Sequence, residues 1–117
     1  GCNKVAFGHH LDDLAETALI NLVFQGRNET IAPVADYFGG MMKVIRPFAY
    51  VPEREIERFS AAVRFPAPPS LCPLGDCTQR RKMKDLIAQL EKDSRKIRWN
   101  LVSAALRSMD SESLSRP

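Results

Sequence analysis

An α/β layered fold built on a parallel sheet is the class this sequence predicts, and three observations predict it. In the first half of the chain, short β-prone runs alternate with stretches of helical apolar spacing. The length of 117 residues is that of one ordinary domain, and 44% apolar with 26% charged residues is the balance of a water-soluble globular protein. A break rich in proline and cysteine then separates this half from two further amphipathic stretches, so a helical extension is expected to follow the layered part.

Lys4 to Gly8 reads as a strand that puts Val5 and Phe7 on one side of the pleat. Leu14, Ala15, Ala18, Leu19, Leu22 and Val23 then recur at intervals of three and four, the stripe of a helix that Gln25-Gly26-Arg27-Asn28 stops. Asp12 or Asp13 is placed to cap that helix, and Asp13 with Glu16 has the spacing of a capping box. Glu29 to Gly40 has mixed polarity and reads as an irregular connection. Met41 to Ile45 is a second strand, ended by Arg46-Pro47 because proline cannot donate to a ladder. Pro52 and the acidic Glu53 and Glu55 open another helix, with Ile56, Phe59, Ala62 and Val63 as its expected buried stripe.

Phe65 to Cys77 holds four prolines and two cysteines, which precludes helix and central strand alike. Beyond it, Met83, Leu86, Ile87 and Leu90 mark one amphipathic helix, and Ile97, Leu101, Val102, Ala105 and Leu106 a second. Trp99 is expected to join the core of this pair. The Ser-rich tail is expected to fray. The division this predicts is 1–64 for the α/β part, 65–78 for the Pro/Cys-rich loop, 79–109 for a basic helical extension and 110–117 for a flexible tail.

The net charge of +3 conceals an uneven distribution. Gln79 to Arg98 carries eight basic residues against three acidic ones, while the remainder has nine basic and eleven acidic. Such a segment, with Arg80, Arg81, Lys82 and Lys84 at its head, suits a phosphate-rich partner such as RNA; a solvated helix face is the plainer reading. No apolar run approaches the roughly 20 residues needed to cross a bilayer. Three cysteines cannot all pair and no signal-peptide pattern opens the chain, so a reducing, cytoplasmic setting is expected, with Cys2 a buried, inert thiol.

The segment Gly8-His9-His10-Leu11-Asp12-Asp13-Leu14-Ala15-Glu16-Thr17 gathers two imidazoles and two carboxylates at the carboxyl end of a strand and the start of a helix. Open α/β sheets bind ligands at such a place, and the helix N-terminus favours phosphate. A carboxylate there can hold magnesium or take a proton, and an imidazole can stabilise charge developing on phosphorus. On the residues alone, a purely structural role stands beside this one, with the aspartates capping the helix and the histidines filling a turn. Arg46, at a strand end, is left between a phosphate contact and a surface ion pair.

This segment resembles the GHHxDDxxET signature of the PP-loop ATPase superfamily, in the branch that modifies tRNA. Val44-Ile45-Arg46-Pro47-Phe48-Ala49-Tyr50 is similar to that family's IRPL segment, and Leu71-Cys72 through Gln79-Arg80 to the cysteine-bearing stretch of the tRNA 2-thiocytidine synthetases. The resemblance covers most of residues 1 to 100. It implies part of a parallel-sheet fold of the adenine nucleotide alpha hydrolase type. It also implies ATP-dependent adenylation of a tRNA base, attack of sulfur and loss of AMP.

Carried over by position, Gly8, His9, His10, Asp12 and Asp13 would frame ATP and Mg2+, with His10 and Asp13 catalytic. Arg80, Arg81, Lys82 and Lys84 would approach tRNA. Cys72 would ligate a 4Fe-4S cluster, with Cys77 as the competing assignment, and a donor protein or sulfide would supply the sulfur. The family's SGGxDS loop and CxxC pair are absent from these 117 residues. The expectation is therefore the C-terminal portion of a longer enzyme, inactive alone and prone to form a homo-oligomer through exposed apolar faces. A lysidine-forming ligase of the same superfamily and a non-catalytic RNA-binding module are the alternatives.

Overall fold

The computed structural model describes residues 1–66 and 78–115, with side-chain surroundings assigned up to residue 111. The elements are β1 (Lys4–Ala6), α1 (Leu11–Gln25), β2 (Val34–Tyr37), β3 (Met42–Ile45), α2 (Glu53–Ala62), α3 (Thr78–Leu90) and α4 (Ile97–Ser115). A single turn of 3-10 helix, Phe38–Gly40, joins β2 to β3.

The sheet has the order β1-β3-β2. β1 runs parallel to β3, as the alternation of strand and helix predicts, with Val5 opposite Val44. β2 is antiparallel to β3, with Ala35 opposite Val44, so the sheet is mixed rather than wholly parallel. The irregular connection expected over 29–40 thus contains an edge strand. Three of its four residues are exposed, so it lacks the clean alternation that marks a half-buried strand.

The core lies among the helices. Leu14, Ile87 and Val102, from α1, α3 and α4, are almost fully buried, and Leu11, Ala15, Leu19, Ala49 and Met83 close around them. Thr30 ties its loop to this core by donating from Oγ1 to the carbonyl of Leu14. Gly26 ends α1 with φ +65°, a left-handed cap that costs glycine nothing, and its N-H bonds to Asn21.

Several expected burials fail. The α1 stripe is buried only through Leu19, since Leu22 and Val23 are exposed. Phe59 and Val63 of α2 are exposed, and no residue of that helix is buried. The periodicity there marks an amphipathic helix, but among the described residues nothing covers its apolar face. Val5, Phe7, Leu86, Leu90 and Trp99 are likewise exposed, as is Cys2. α4 runs to Ser115, past the Met109 end expected for the helical extension; extending a formed helix avoids the cost of nucleating one. Among the described residues, no helix is long and apolar enough to cross a membrane.

Candidate active site

The parallel ladder delivers the signature segment to one end of the sheet. Beyond β1, the Phe7 N-H still bonds to the Ile45 carbonyl, and Gly8, His9 and His10 then lead into α1. The helix is capped by His10, not by either aspartate. His10 is extended (φ −120°, ψ −179°), and its N-H donates to Asp13 Oδ2 at 2.9 Å. The capping contact therefore sits three residues earlier than the Asp13 and Glu16 spacing suggests. The Leu11 N-H bonds to the Val51 carbonyl, which pins the start of α1 to the turn before α2.

The two aspartates face different surroundings. Asp12 is buried; its Oδ1 accepts from the Glu53 N-H at the start of α2, and its Oδ2 lies 3.1 Å from Arg98 Nε on α4. Arg98 also pairs with Glu91. Asp13 is partly exposed and uses one oxygen on the His10 N-H, 3.4 Å from His10 Nε2. His10 Nε2 also lies 3.8 Å from Glu53 Oε1, and its Nδ1 is buried without a partner among the described residues.

Glu16 and Thr17 share one guanidinium. Arg80 of α3 reaches Glu16 Oε1 with one Nη and the Thr17 hydroxyl with the other, at 3.2 and 3.1 Å. Burial pushes the Glu16 carboxyl above its ordinary value, against the lowering pull of Arg80 and Lys84. Lys84 Nζ stands 3.9 Å from Glu53 Oε2 and is largely exposed. A cleft of ≈ 300 Å³ runs between these helices, lined by His10, Asp13, Glu16 and Glu53 on one side and by Arg80, Arg81 and Lys84 on the other.

Of the residues singled out in the sequence, the structure brings His10, Asp13, Arg80, Arg81 and Lys84 to this cleft and leaves Gly8, His9, Asp12 and Lys82 off its walls. His9 faces the sheet side, where its Nδ1 accepts from Arg46 Nε at 3.2 Å, which keeps the ring proton on Nε2. Arg46 forms no ion pair among the described residues. It donates to the Ala32 carbonyl and lies over the Phe7 ring. Cys72 and Cys77 lie outside the described residues. Glu53 and Arg98 were missed, because nothing in a linear sequence shows that both converge on Asp12.

No protein-family model matches the chain. Curated proteins do. A tRNA-cytidine(32) 2-sulfurtransferase of Citrifermentans bemidjiense is 44% identical over 106 residues, 89% of this chain and 42% of that protein. The enzyme of the same name from Geobacter sulfurreducens matches at 44% over 89% of this chain and 41% of its own length. Over most of its length the chain is similar to part of the tRNA-cytidine(32) 2-sulfurtransferases. It spans about two fifths of the length of these sulfurtransferases. Among solved structures, the U34-tRNA thiolase NcsA from Methanococcus maripaludis, determined with its [4Fe-4S] cluster, superposes with a TM-score of 0.72. That match covers 93% of this chain and 37% of the thiolase at 24% identity, and it shows that the chain shares the fold of that part of the thiolase.

Proposed function

We propose that the protein carrying this segment is an ATP-dependent tRNA sulfurtransferase that converts a cytidine, position 32 by the name of its relatives, to 2-thiocytidine. The observation that carries the reading is 44% identity to such enzymes across 89% of the chain. The geometry supports it, since the signature stands at the carboxyl end of a parallel strand and opens onto a polar cleft.

The residues present fit a nucleotide and its magnesium in a limited way. Among the described residues, Asp13 keeps one carboxylate oxygen without a protein partner, whereas both oxygens of Asp12 are engaged. Magnesium needs only one or two carboxylates beside substrate phosphates, so Asp13 is the residue proposed to hold it. The unpartnered Nδ1 of His10 is a buried polar atom of the kind a ligand satisfies, and Lys84 is close enough to the rim to turn toward phosphate. Bound there, ATP supplies the adenylyl group that makes a base oxygen a good leaving group.

The chain's own part is to position and neutralise. Asp13 fixes the His10 backbone, Glu53 and Asp13 flank the imidazole, and Arg80 holds α3 against α1 so that Arg81 and Lys84 border the cleft. The role of cluster ligand is proposed for Cys72, with Cys77 the alternative, on the resemblance. Sulfide or a donor protein is the proposed sulfur source, and tRNA the partner.

The test is nucleoside analysis by mass spectrometry after the full-length protein has been incubated anaerobically with tRNA, ATP, Mg2+ and sulfide following iron-sulfur reconstitution. ATP-dependent 2-thiocytidine is the expected product, reduced about a hundredfold or more by Asp13→Ala and abolished by Cys72→Ser. Lysidine in place of 2-thiocytidine, or tRNA binding without any modified base, would overturn the proposal.

A further inference from the structure

The cleft that holds His10 and Asp13 carries more acid than fixed base. Four carboxylates, those of Asp13, Glu16, Glu53 and Asp85, line it against the cations Arg80, Arg81 and Lys84. A phosphate group entering such surroundings is repelled unless a carboxylate is matched or moves away. Glu16 is matched by Arg80, Asp13 is anchored on the His10 N-H, and Asp85 is exposed to solvent on α3. Glu53 is held differently from these three.

The Glu53 carboxylate stands between two groups and is hydrogen-bonded to neither. Its Oε1 is 3.8 Å from His10 Nε2 and its Oε2 is 3.9 Å from Lys84 Nζ, both beyond hydrogen-bond length. Loose, partly exposed pairs of this kind contribute little and exchange partners at little cost. The Glu53 side chain is 34% exposed, while its backbone is fixed because Asp12 accepts the Glu53 N-H and is itself held by Arg98. Motion is thus confined to the side-chain torsions. Lys84 is 55% exposed and forms no other ion pair among the described residues.

Glu53 also lines a second cleft, of ≈ 290 Å³. The other charges there cancel, with Asp12, Glu57 and Glu91 against Arg54, Arg95 and Arg98. Arg98 is taken up by Asp12 and Glu91, whereas Arg54, Arg95 and Glu57 form no ion pair among the described residues. A carboxylate that turns this way leaves acidic surroundings for neutral ones that offer it a guanidinium.

We infer that Glu53 is an exchangeable counter-ion: a phosphate group entering the first cleft takes Lys84 from it, and the carboxylate turns toward Arg54 and Arg95. This rests on the reading of the cleft as a site for ATP and tRNA, and it names the residue that sets the affinity for phosphate there. Arg98 and Asp12 act as its positioning residues, since they fix the helix start from which the carboxylate swings.

The test is the affinity of the full-length protein for Mg2+-ATP, by calorimetry, and for its tRNA, by equilibrium titration, in the parent, Glu53→Gln, Lys84→Gln and the double variant. The worth of an exposed ion pair predicts about three- to five-fold tighter binding of the phosphate ligand by Glu53→Gln. In the Lys84→Gln background the same change should alter binding by less than about 1.5-fold, because there is no ammonium left to release. The gain should also shrink as added salt screens the pair. Glu53→Asp, which keeps the charge at the helix start but withdraws it by one methylene, should show part of the gain and serves if Gln disturbs α2.

A gain with ATP assigns the phosphate to the nucleotide, and a gain with tRNA assigns it to the RNA backbone. Unchanged or weaker binding of both ligands by Glu53→Gln and Glu53→Asp overturns the exchange. So does a gain of equal size with and without Lys84, which is the mark of general repulsion. In either case the reading of the cleft stands if the parent binds ATP and tRNA; a parent that binds neither overturns that reading.

Discussion

Asp12 separates a structural account of the signature from a purely catalytic one. In Asp12→Ala the Glu53 N-H loses its acceptor at the start of α2, and Arg98 loses one of its two carboxylates. Removing one partner of a fully buried ion pair costs about 3–5 kcal/mol; because Arg98 is partly exposed and keeps Glu91, a smaller cost, about 2 kcal/mol, applies. The lost acceptor at the helix start adds about 1 kcal/mol. The sum of about 3 kcal/mol is to be measured by urea titration of the full-length protein. Asp12→Asn, which keeps an acceptor for the N-H, should lose about half as much. In an Arg98→Met background Asp12→Ala should cost less than in the parent, the difference being the coupling of the pair. If Asp12→Ala is within about 0.5 kcal/mol of the parent and instead raises the Mg2+ concentration needed for activity, Asp12 is a metal ligand and the reasoning is refuted.

Glu16 predicts a pH effect of definite sign. Its folded value is raised above the ordinary 4.5 by burial, so its stabilising share is full below that pH and is lost as pH rises through the folded value; Glu16→Gln should remove that decline from a stability profile. Arg80→Ala should cost about 2 kcal/mol by leaving Glu16 and Thr17 without their shared donor, whereas Glu16→Leu with Arg80→Met should stay within about 1 kcal/mol of the parent, both read by denaturant unfolding. Arg46→Lys should cost about 1–2 kcal/mol in the same assay, because a lysine cannot serve the Ala32 carbonyl and His9 Nδ1 together.

The sequence made the regular elements legible where periodicity and punctuation agreed. Gly26 marked the end of α1, Pro52 with Glu53 and Glu55 marked the start of α2, and the apolar spacings placed α3 and α4. β2 was not legible, because an edge strand of four residues needs no buried face and leaves no alternation to read. The fate of Phe59, Val63 and Trp99 was hidden for a different reason. An apolar stripe states that a face is amphipathic, while its burial depends on whether another element covers it. At the site, the signature located the cleft through His10 and Asp13, yet the partners that give Asp12 and Glu16 their roles lie 86 and 64 residues further along the chain. Such pairings follow from the docking of α3 and α4, which local pattern does not encode.

That docking explains why the acidic residues of the signature are spaced as they are. Asp12 and Glu16 are four apart and fall on one row of α1, while Asp13 and Thr17 fall on the next. The first row is buried, and each of its carboxylates is met by an arginine from the helical extension, Arg98 on α4 and Arg80 on α3. The second row is only partly covered, and Asp13 borders the cleft. A buried carboxylate without its arginine is costly, so the extension has one docking register that satisfies both at once. Leu14 and Ala15, lying between the two acids in sequence, are sealed in the core by the same docking. The register that satisfies the first row also carries Arg81 and Lys84 to the cleft facing Asp13. One short segment thus works in two ways: its buried acids assemble the walls, and its exposed acid works between them.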